Sequence, residues 1–191
     1  VKSITDSNAQ IAETVINNDF RIDKMEVELE EDCLKILALY QPLAIDLRFI
    51  ITALKINNDL ERIGDLAANI AERGRFLASK SRTGIPFDLA AMAQVTRSMV
   101  RMRLDALGSL GCALATQVCQ MDDQGDDMNK EMYDLVKEYA LKNPQSIEIL
   151  IHLLSASRHL ERIADHATNI AEDVIYMVEG RIVRHAPENY S

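Results

Sequence analysis

The 191-residue chain has no Trp, and it is poor in the residues that make turns, with seven Gly and four Pro. Tight turns and hairpins depend on Gly and Pro, so their scarcity argues against an all-β domain of many short strands. The abundant residues are Ala, Leu, Ile and Glu, which favour helices. Hydrophobic residues make up 48% of the chain, which is enough for a buried core. We therefore predict an all-α protein with long helices.

Positive charge is also scarce: the chain has 21 Lys and Arg but 30 Asp and Glu, so its net charge is −9. An acidic protein repels phosphate backbones, which argues against nucleic acid as a partner. No apolar run is long enough to span a bilayer, no signal peptide is recognisable, and the three cysteines match no zinc spacing. We expect a cytoplasmic protein with reduced thiols.

Signatures of catalysis are missing as well. The sequence contains no glycine-rich phosphate loop, no Gly-x-Ser-x-Gly motif and no Glu-x-x-His motif. None of the four histidines has the Ser or Cys arrangement of a nucleophilic site. We therefore expect that the protein is not an enzyme.

Polar breaks divide the helical pattern. Asp19 is predicted to cap a helix, and Pro42 and Pro144 are predicted to lie in the first turns of two others. The polar stretch at residues 79–86 is the predicted boundary between two domains, at residues 1–80 and 86–181. The six predicted helices span residues 1–17, 19–40, 42–79, 86–120, 122–142 and 144–180.

The strongest pattern is an internal repeat. The segment LERIGDLAANIAE at residues 60–72 returns as LERIADHATNIAE at residues 160–172, with ten of the thirteen positions identical. Agreement of this extent indicates a duplication. Helices joined by short loops pack antiparallel. The predicted fold is therefore two tandem, pseudo-symmetric three-helix bundles, with Leu160, Ala164, Ala167 and Ala171 on the packing face of the second copy.

The repeat also places acidic residues one helical turn apart, where like charges repel. Two further acidic pairs with the same spacing open other predicted helices. The four pairs are Glu61 and Asp65, Glu161 and Asp165, Asp19 and Asp23, and Asp122 and Asp126. If the helices adjoin, four carboxylates converge in each bundle, and oxygen-rich sites of this kind suit Mg²⁺, Mn²⁺ or iron. The alternative is a solvated face that Arg62, Arg162 or the helix dipoles neutralise.

Three histidines form a second stripe on the last predicted helix. His152, His159 and His166 are seven residues apart and point nearly opposite to Glu161 and Asp165, so they do not join the carboxylates. We interpret them as half-buried or interface histidines. A second metal site and a pH-sensitive surface are the alternatives. The first copy of the repeat has no histidine at these positions.

The repeated segments at residues 60–65 and 160–165 resemble the signature of the PhoU family, the accessory regulators of bacterial phosphate uptake. The sequence Gln-Pro-Leu-Ala-Ile-Asp-Leu-Arg at residues 41–48 is similar to another segment of that family, and residues 165–176 with Gly180 resemble its C-terminal run. The resemblance covers nearly the whole chain. It implies two three-helix bundles, with a first helix that is shortened relative to typical members.

The resemblance also implies metal ions bound through acidic E(D)xxxD motifs. Carried over to this sequence, the motifs fall on the four carboxylate pairs named above. For the fourth pair, Asp123 and Asp127 have the same spacing as Asp122 and Asp126. The positions of the residues that follow the motif in the family favour Asp122 and Asp126. Iron, manganese, magnesium and zinc are the candidate ions.

By resemblance, the protein is a negative regulator of phosphate uptake and of phosphate-starvation signalling. It is expected to be a homodimeric adaptor between the phosphate ABC transporter ATPase subunit and the sensor histidine kinase. Its association with the membrane is expected to be indirect, through these partners. Residues 41–48 are a candidate partner surface, or alternatively a helix start with a buried contact between Asp46 and Arg48. Other interpretations are a PhoU-like domain excised from a sodium–phosphate cotransporter or ion channel, a metal-dependent enzyme, and a metal-free helical scaffold.

Overall fold

A computed structural model describes residues 1–80, 88–119 and 122–183, apart from the side chains of residues 118–119 and 122–126. All regular elements in these ranges are helical, which confirms the predicted fold class, and none of their helices is long and apolar enough to cross a membrane. The α-helices are α1 (Lys2–Thr5), α2 (Ala9–Tyr40), α3 (Ile45–Ala78), α4 (Leu89–Ser109), α5 (Cys112–Cys119), α6 (Asp122–Lys142) and α7 (Ile147–Glu179), and a 3-10 turn (Pro144–Ser146) precedes α7.

Helix α2 runs without interruption through residues 17–19, where the sequence predicted a break with Asp19 as N-cap. That prediction was wrong because the helix begins much earlier. Its N-cap is Asn8, whose side-chain oxygen accepts hydrogen bonds from the backbone N–H groups of Gln10 and Ile11 at 2.9 and 3.2 Å. Inside the helix, the side-chain amide of Asn18 donates to a backbone carbonyl one turn earlier. Asn18 therefore bonds to the helix and does not break it.

Two other predicted boundaries were displaced by residues with positive φ. Helix α3 begins at Ile45 and not at Pro42, because Ala44 has φ 49° and ψ −108°, a conformation that no α-helix contains. The predicted helix at residues 86–120 is divided at Leu110, whose φ of 50° ends α4 before α5 begins at Cys112. Of the predicted boundary stretch at residues 79–86, residues 81–86 lie outside the described residues.

Helices α3 and α7, which contain the two copies of the repeat, pack side by side and antiparallel. Phe76, near the end of α3, stacks on His152, near the start of α7, with 3.9 Å between the ring centroids. At the other end of the pair, Lys55 Nζ lies 3.8 Å from Asp173 Oδ1. The contact therefore extends along most of both helices.

The hydrophobic core lies between the two halves of the chain. One cluster of buried residues joins Leu66 and Ile70 of α3 to Leu160 and Ile163 of α7. A second cluster joins Ile56 of α3 to the later turns of α7. The predicted packing face of α7 is confirmed, because its four residues are at most 4% exposed. Both clusters therefore contain residues from the two halves of the chain.

Arg48 of α3 closes the C-terminal end of α7. Its Nε donates to the carbonyl oxygen of Met177 at 3.2 Å and its Nη2 to that of Val178 at 3.4 Å, where the helix dipole favours a cation. Gly180 then ends the helix with φ 72°, and a Cβ at this position would collide with Nη1 of Arg48. Asp46 is exposed. The guanidinium thus caps another helix, and the alternative of a buried Asp46–Arg48 contact is wrong.

We expect Arg48→Met to lower the free energy of unfolding by about 1–2 kcal/mol, because the variant loses two charge-assisted hydrogen bonds and the dipole interaction. Urea unfolding followed by circular dichroism measures the change. Arg21→Met, at an exposed position of α2, is the control and should change stability by less than about 0.5 kcal/mol. Equal stability of the two variants would contradict the capping role.

Candidate metal site

The acidic pair of α3 meets the acidic pair of α2. One carboxylate oxygen from each of Asp19, Asp23 and Asp65 lies within 4.8 Å of the other two. Asp19 and Asp65 are half-buried and Asp23 is exposed. Ligands on opposite sides of a cation with metal–oxygen bonds of 2.0–2.6 Å are roughly 4–5 Å apart. The three oxygens are therefore close enough together for one hard cation to contact all of them.

Glu61 lies one turn before Asp65, outside this group of three oxygens but close enough for the charges of Asp65 and Asp23 to act on its carboxyl. Its Oε2 is buried, and within the described part of the chain it accepts no hydrogen bond, although Arg62 Nε lies 3.4 Å away. Burial raises the pKa of the Glu61 carboxyl, and the charge of Asp65 raises it further. Arg62 opposes this shift in pKa but does not cancel it.

Negative charge accumulates at Asp19 as well. Burial raises the pKa of the Asp19 carboxyl, and the charges of Asp23 and Asp65 add to the shift. Arg62 Nη1 donates to Asp65 Oδ2 at 3.4 Å, but the arginine side chain is 51% exposed and its charge is screened by water. The four carboxylates are therefore only partly neutralised by the arginine beside them.

Gly64 allows α2 to come close to α3 at this site. A Cβ on Gly64 would lie 3.0 Å from Ile22 Cδ1 and 3.3 Å from Asp19 Oδ1, which is tighter than most carbon contacts. The equivalent residue of the second copy is Ala164. The missing side chain of Gly64 thus allows the carboxylates of the two helices to come together.

The acidic pair of the second copy lies on α7. Glu161 is half-buried and Asp165 is exposed. The side chains of their predicted partners, Asp122 and Asp126, lie outside the described residues, and the backbone of both residues is helical, in α6. The structure therefore brings together the predicted residues of the first half, and it describes only the α7 side of the second.

Helix α4 supplies a residue at the second acidic face that the sequence analysis missed. Arg103 is fully buried, and its Nη2 donates to Thr168 Oγ1 at 2.7 Å. Thr168 lies on the same face of α7 as Glu161 and Asp165, because residues three and seven positions apart are neighbours on a helix. Most arginines are exposed, and no local pattern distinguishes this one in the sequence.

The histidine stripe of α7 lies against α3, away from the carboxylates. His166 Nδ1 is 2.8 Å from Asp59 Oδ1, and His152 stacks on Phe76. Burial lowers the pKa of His152 and His159. All three histidines are half-buried, and His152 and His166 contact α3, which agrees with the prediction of half-buried or interface histidines.

The family model described as "PhoU domain" matches residues 1–74 and 89–174, which include both copies of the repeat. The chain belongs to the PhoU family. It is 39% identical over 184 residues to the phosphate-specific transport system accessory protein PhoU homolog of Aquifex aeolicus, with 96% of this chain and 83% of that protein covered. It is 37% identical to the homolog of the same name from Pseudomonas aeruginosa, with 97% and 77% covered.

Two solved PhoU structures are similar to this fold. The crystal structure of PhoU from Pseudomonas aeruginosa superposes with a TM-score of 0.90 at 36% identity, over 94% of this chain and 87% of that one. The phosphate transport system regulatory protein PhoU from Streptococcus pneumoniae superposes with a TM-score of 0.82 at 32% identity, over 95% and 85%. The predicted PhoU-type fold of tandem helical bundles is therefore confirmed.

We expect Asp19→Asn to raise the free energy of unfolding at pH 7 by about 0.5 kcal/mol in chelator-treated buffer, because it removes like-charge repulsion. The raised pKa of Asp19 means that the folded state takes up a proton more readily than the unfolded state. The stability that Asp19 contributes to the native chain therefore rises as the pH falls through the carboxyl range. The gain in stability from Asp19→Asn should therefore shrink as the pH falls. It should vanish below pH 3.8, which is the ordinary pKa of an Asp carboxyl.

Thermal unfolding at several pH values between neutral and acidic measures this trend. Asp32→Asn is the control, because Asp32 is exposed on the opposite face of α2 and lies 3.2 Å from Lys35 Nζ. Its removal should give no gain in stability at pH 7. A loss of stability for Asp19→Asn at pH 7 would contradict the repulsion that we infer at the site.

Proposed function

We propose that this protein is a non-catalytic regulator that is accessory to a phosphate-specific transport system. The observation that best supports this proposal is its similarity, over nearly its whole length, to proteins named as accessory proteins of such a system. In this role it acts in the cytoplasm and restrains both phosphate uptake and phosphate-starvation signalling.

The proposal includes an adaptor role between the ATPase subunit of the phosphate ABC transporter and the sensor histidine kinase, through which the protein meets the membrane. Such a role requires exposed contact surfaces, which apolar side chains typically supply. At the turn between α2 and α3, Leu39, Tyr40 and Leu43 are 75%, 74% and 79% exposed. Along α2, Phe20 and Met25 are 63% and 67% exposed, which supports a homodimer.

The proposal also includes a metal ion at the first acidic cluster, which Asp19, Asp23, Asp65 and Glu61 would hold. Two observations support it: no described residue donates a hydrogen bond to the buried Oε2 of Glu61, and burial together with the charges of Asp23 and Asp65 raises the pKa of Asp19. Both indicate negative charge that Arg62 does not balance. A bound cation would supply the missing positive charge. An all-carboxylate set fits magnesium, manganese or iron better than zinc, which is commonly held by Cys and His.

We expect Glu61→Gln combined with Asp65→Asn to remove the metal of the first cluster without unfolding the protein. Elemental mass spectrometry after loading with Mn²⁺ and gel filtration measures metal content, and thermal unfolding measures the stabilisation by Mn²⁺. Glu161→Gln with Asp165→Asn examines the second acidic face in the same way.

The control for these variants is Glu28→Gln with Asp32→Asn. This pair has the same charge and the same spacing, but it is exposed on the opposite face of α2. Its metal content should equal that of the native chain. Unchanged metal content in both double variants, at Glu61 and Asp65 and at Glu161 and Asp165, would contradict metal binding by these acidic pairs.

The regulatory role is tested in a bacterium that lacks its own PhoU-family gene. We expect the native chain to restore low phosphate uptake and low expression of a phosphate-starvation reporter in phosphate-rich medium. Leu43→Glu should fail to restore either, because it places a charge on the proposed contact surface. Leu141→Glu, at an equally exposed leucine of α6 (79%), should behave like the native chain.

Two outcomes of this experiment would contradict the proposal. If the native chain accumulates in the cell but restores neither uptake control nor reporter repression, the regulatory function is wrong. If Leu43→Glu restores both as well as the native chain, the turn between α2 and α3 is not the contact surface.

A further inference from the structure

Positive charge is concentrated on one strip of α7, although the chain as a whole is acidic. Arg158 and Arg162 are one helical turn apart on this strip, and both are exposed. Like charges at this spacing repel each other. Among the residues that the structure describes, no carboxylate lies within ion-pair distance of either guanidinium. No described carboxylate therefore offsets the repulsion within this pair.

Helix α3 adds a third arginine from across its contact with α7. Because Phe76 stacks on His152 and the two helices are antiparallel, Arg73 faces the turns of α7 that follow His152. Within the described ranges Arg73 makes one long ion pair, of 4.0 Å between its Nη2 and Glu72 Oε2. Its Nε is buried and donates no hydrogen bond to any described residue. Arg73 therefore has donor capacity that the described part of the chain does not use.

His159 lies among these three arginines. Burial lowers the pKa of its imidazole, and the positive charges of Arg73, Arg162 and Arg158 lower it further, so all three guanidiniums act on one ring. Its Nδ1 is buried and has no hydrogen-bond partner among the described residues, and its Nε2 lies 3.3 Å from Ser155 Oγ. Arg73 of α3 with Arg158, His159 and Arg162 of α7 form a cluster that we name the basic seam.

The exposed arginines of α4 do not form a comparable cluster. Arg97 and Arg101 have the same spacing as the pair on α7 and are also exposed, but they line an apolar cavity beside α2 and α3. Among the described residues that line this cavity, no other side chain is charged. The basic seam thus differs from this pair because arginines of two helices meet in it.

We propose that the basic seam binds a small phosphate-type oxyanion, of which inorganic phosphate is the simplest member. A guanidinium offers two parallel donors that match two oxygens of a phosphate group, and three guanidiniums balance its charge of about −2. The hydroxyl of Ser155 is a further donor beside them.

The net charge of −9 favours a small anion over a long one. At physiological ionic strength a small anion interacts mainly with charges within about 8 Å, so the arginines of the seam determine its binding. A nucleic acid would extend over the acidic surface and be repelled. The inference goes beyond the proposed regulatory role, because binding of phosphate requires neither a metal ion nor a partner protein.

The first test is an NMR titration of the ¹⁵N-labelled native chain with sodium phosphate at constant ionic strength. Chelator-treated buffer ensures that phosphate does not bind through a metal ion at the carboxylates. We expect the Nε–H resonance of Arg73 and the backbone amides of residues 155–162 to shift together and to saturate. The expected Kd is on the order of 1 mM, which corresponds to a few charge-assisted hydrogen bonds at a half-exposed site.

The second test repeats the titration with variants of the seam. Arg158→Gln with Arg162→Gln should weaken phosphate binding at least about tenfold, because it removes two of the three guanidiniums. Arg73→Gln should weaken it at least about fivefold. The control is Arg97→Gln with Arg101→Gln, which removes the same charge at the same spacing from α4. It should leave the affinity within about twofold of the native value, because distant exposed charges are screened.

Shifts that do not saturate, or that saturate at residues outside the basic seam, would overturn the inference. Equal weakening by the double variants of α7 and α4 would attribute the effect to overall charge and would overturn it as well. Circular dichroism establishes that each variant is folded, and the titration of the native chain needs no substitution.

A parallel titration with glycerol 3-phosphate distinguishes free phosphate from a phosphate monoester as the ligand. Saturable binding of either anion at the seam supports the inference, and the more tightly bound anion identifies the form of the ligand. Binding of neither anion would overturn this inference alone, since the proposed metal site and regulatory role are measured in separate experiments.

Discussion

The antiparallel contact between α3 and α7 is the interaction on which the remaining structure depends. Small side chains on the packing face of the repeat, such as Ala167 and Ala171, allow close approach and bury apolar residues from both halves. Each repeat helix thereby uses one face for its partner. The acidic face is left for a different neighbour, and in the first half that neighbour is α2, whose carboxylates complete the cluster.

The carboxylates of the acidic faces repel one another, and the two halves of the chain differ in the positive charge that lies near them. In the first half, like charges are held close, the carboxyl groups of Asp19 and Glu61 take up protons more readily, and an exposed arginine supplies partial compensation. In the second half, the buried Arg103 supplies positive charge from inside the protein.

The sequence predicted the repeat, the acidic pairs and the histidine interface because helical periodicity records which residues share a face. Predictions from the sequence failed where tertiary contacts or an unusual backbone conformation determine the structure. Asn18 looked like part of a break but bonds to its own helix. Leu110 has a positive φ that its type does not suggest, although the adjacent Gly111 was an available signal. Arg103 bonds to a residue of α7 that is 65 positions away in the chain, which no local pattern shows.

The central contact between α3 and α7 also has an evolutionary consequence. Ile63 and Ile163, the same position of the two copies, lie in one cluster where the antiparallel helices cross. An interface in which a position meets its own counterpart is isologous, the type found in homodimers with two-fold symmetry. The two copies thus pack on each other in the way that two single-copy molecules pack in a symmetric dimer. Fusion of such a dimer into one gene frees each half to diverge, and His166 and Thr168, which replace Leu66 and Ala68, are substitutions that an obligate homodimer would have had to accept twice.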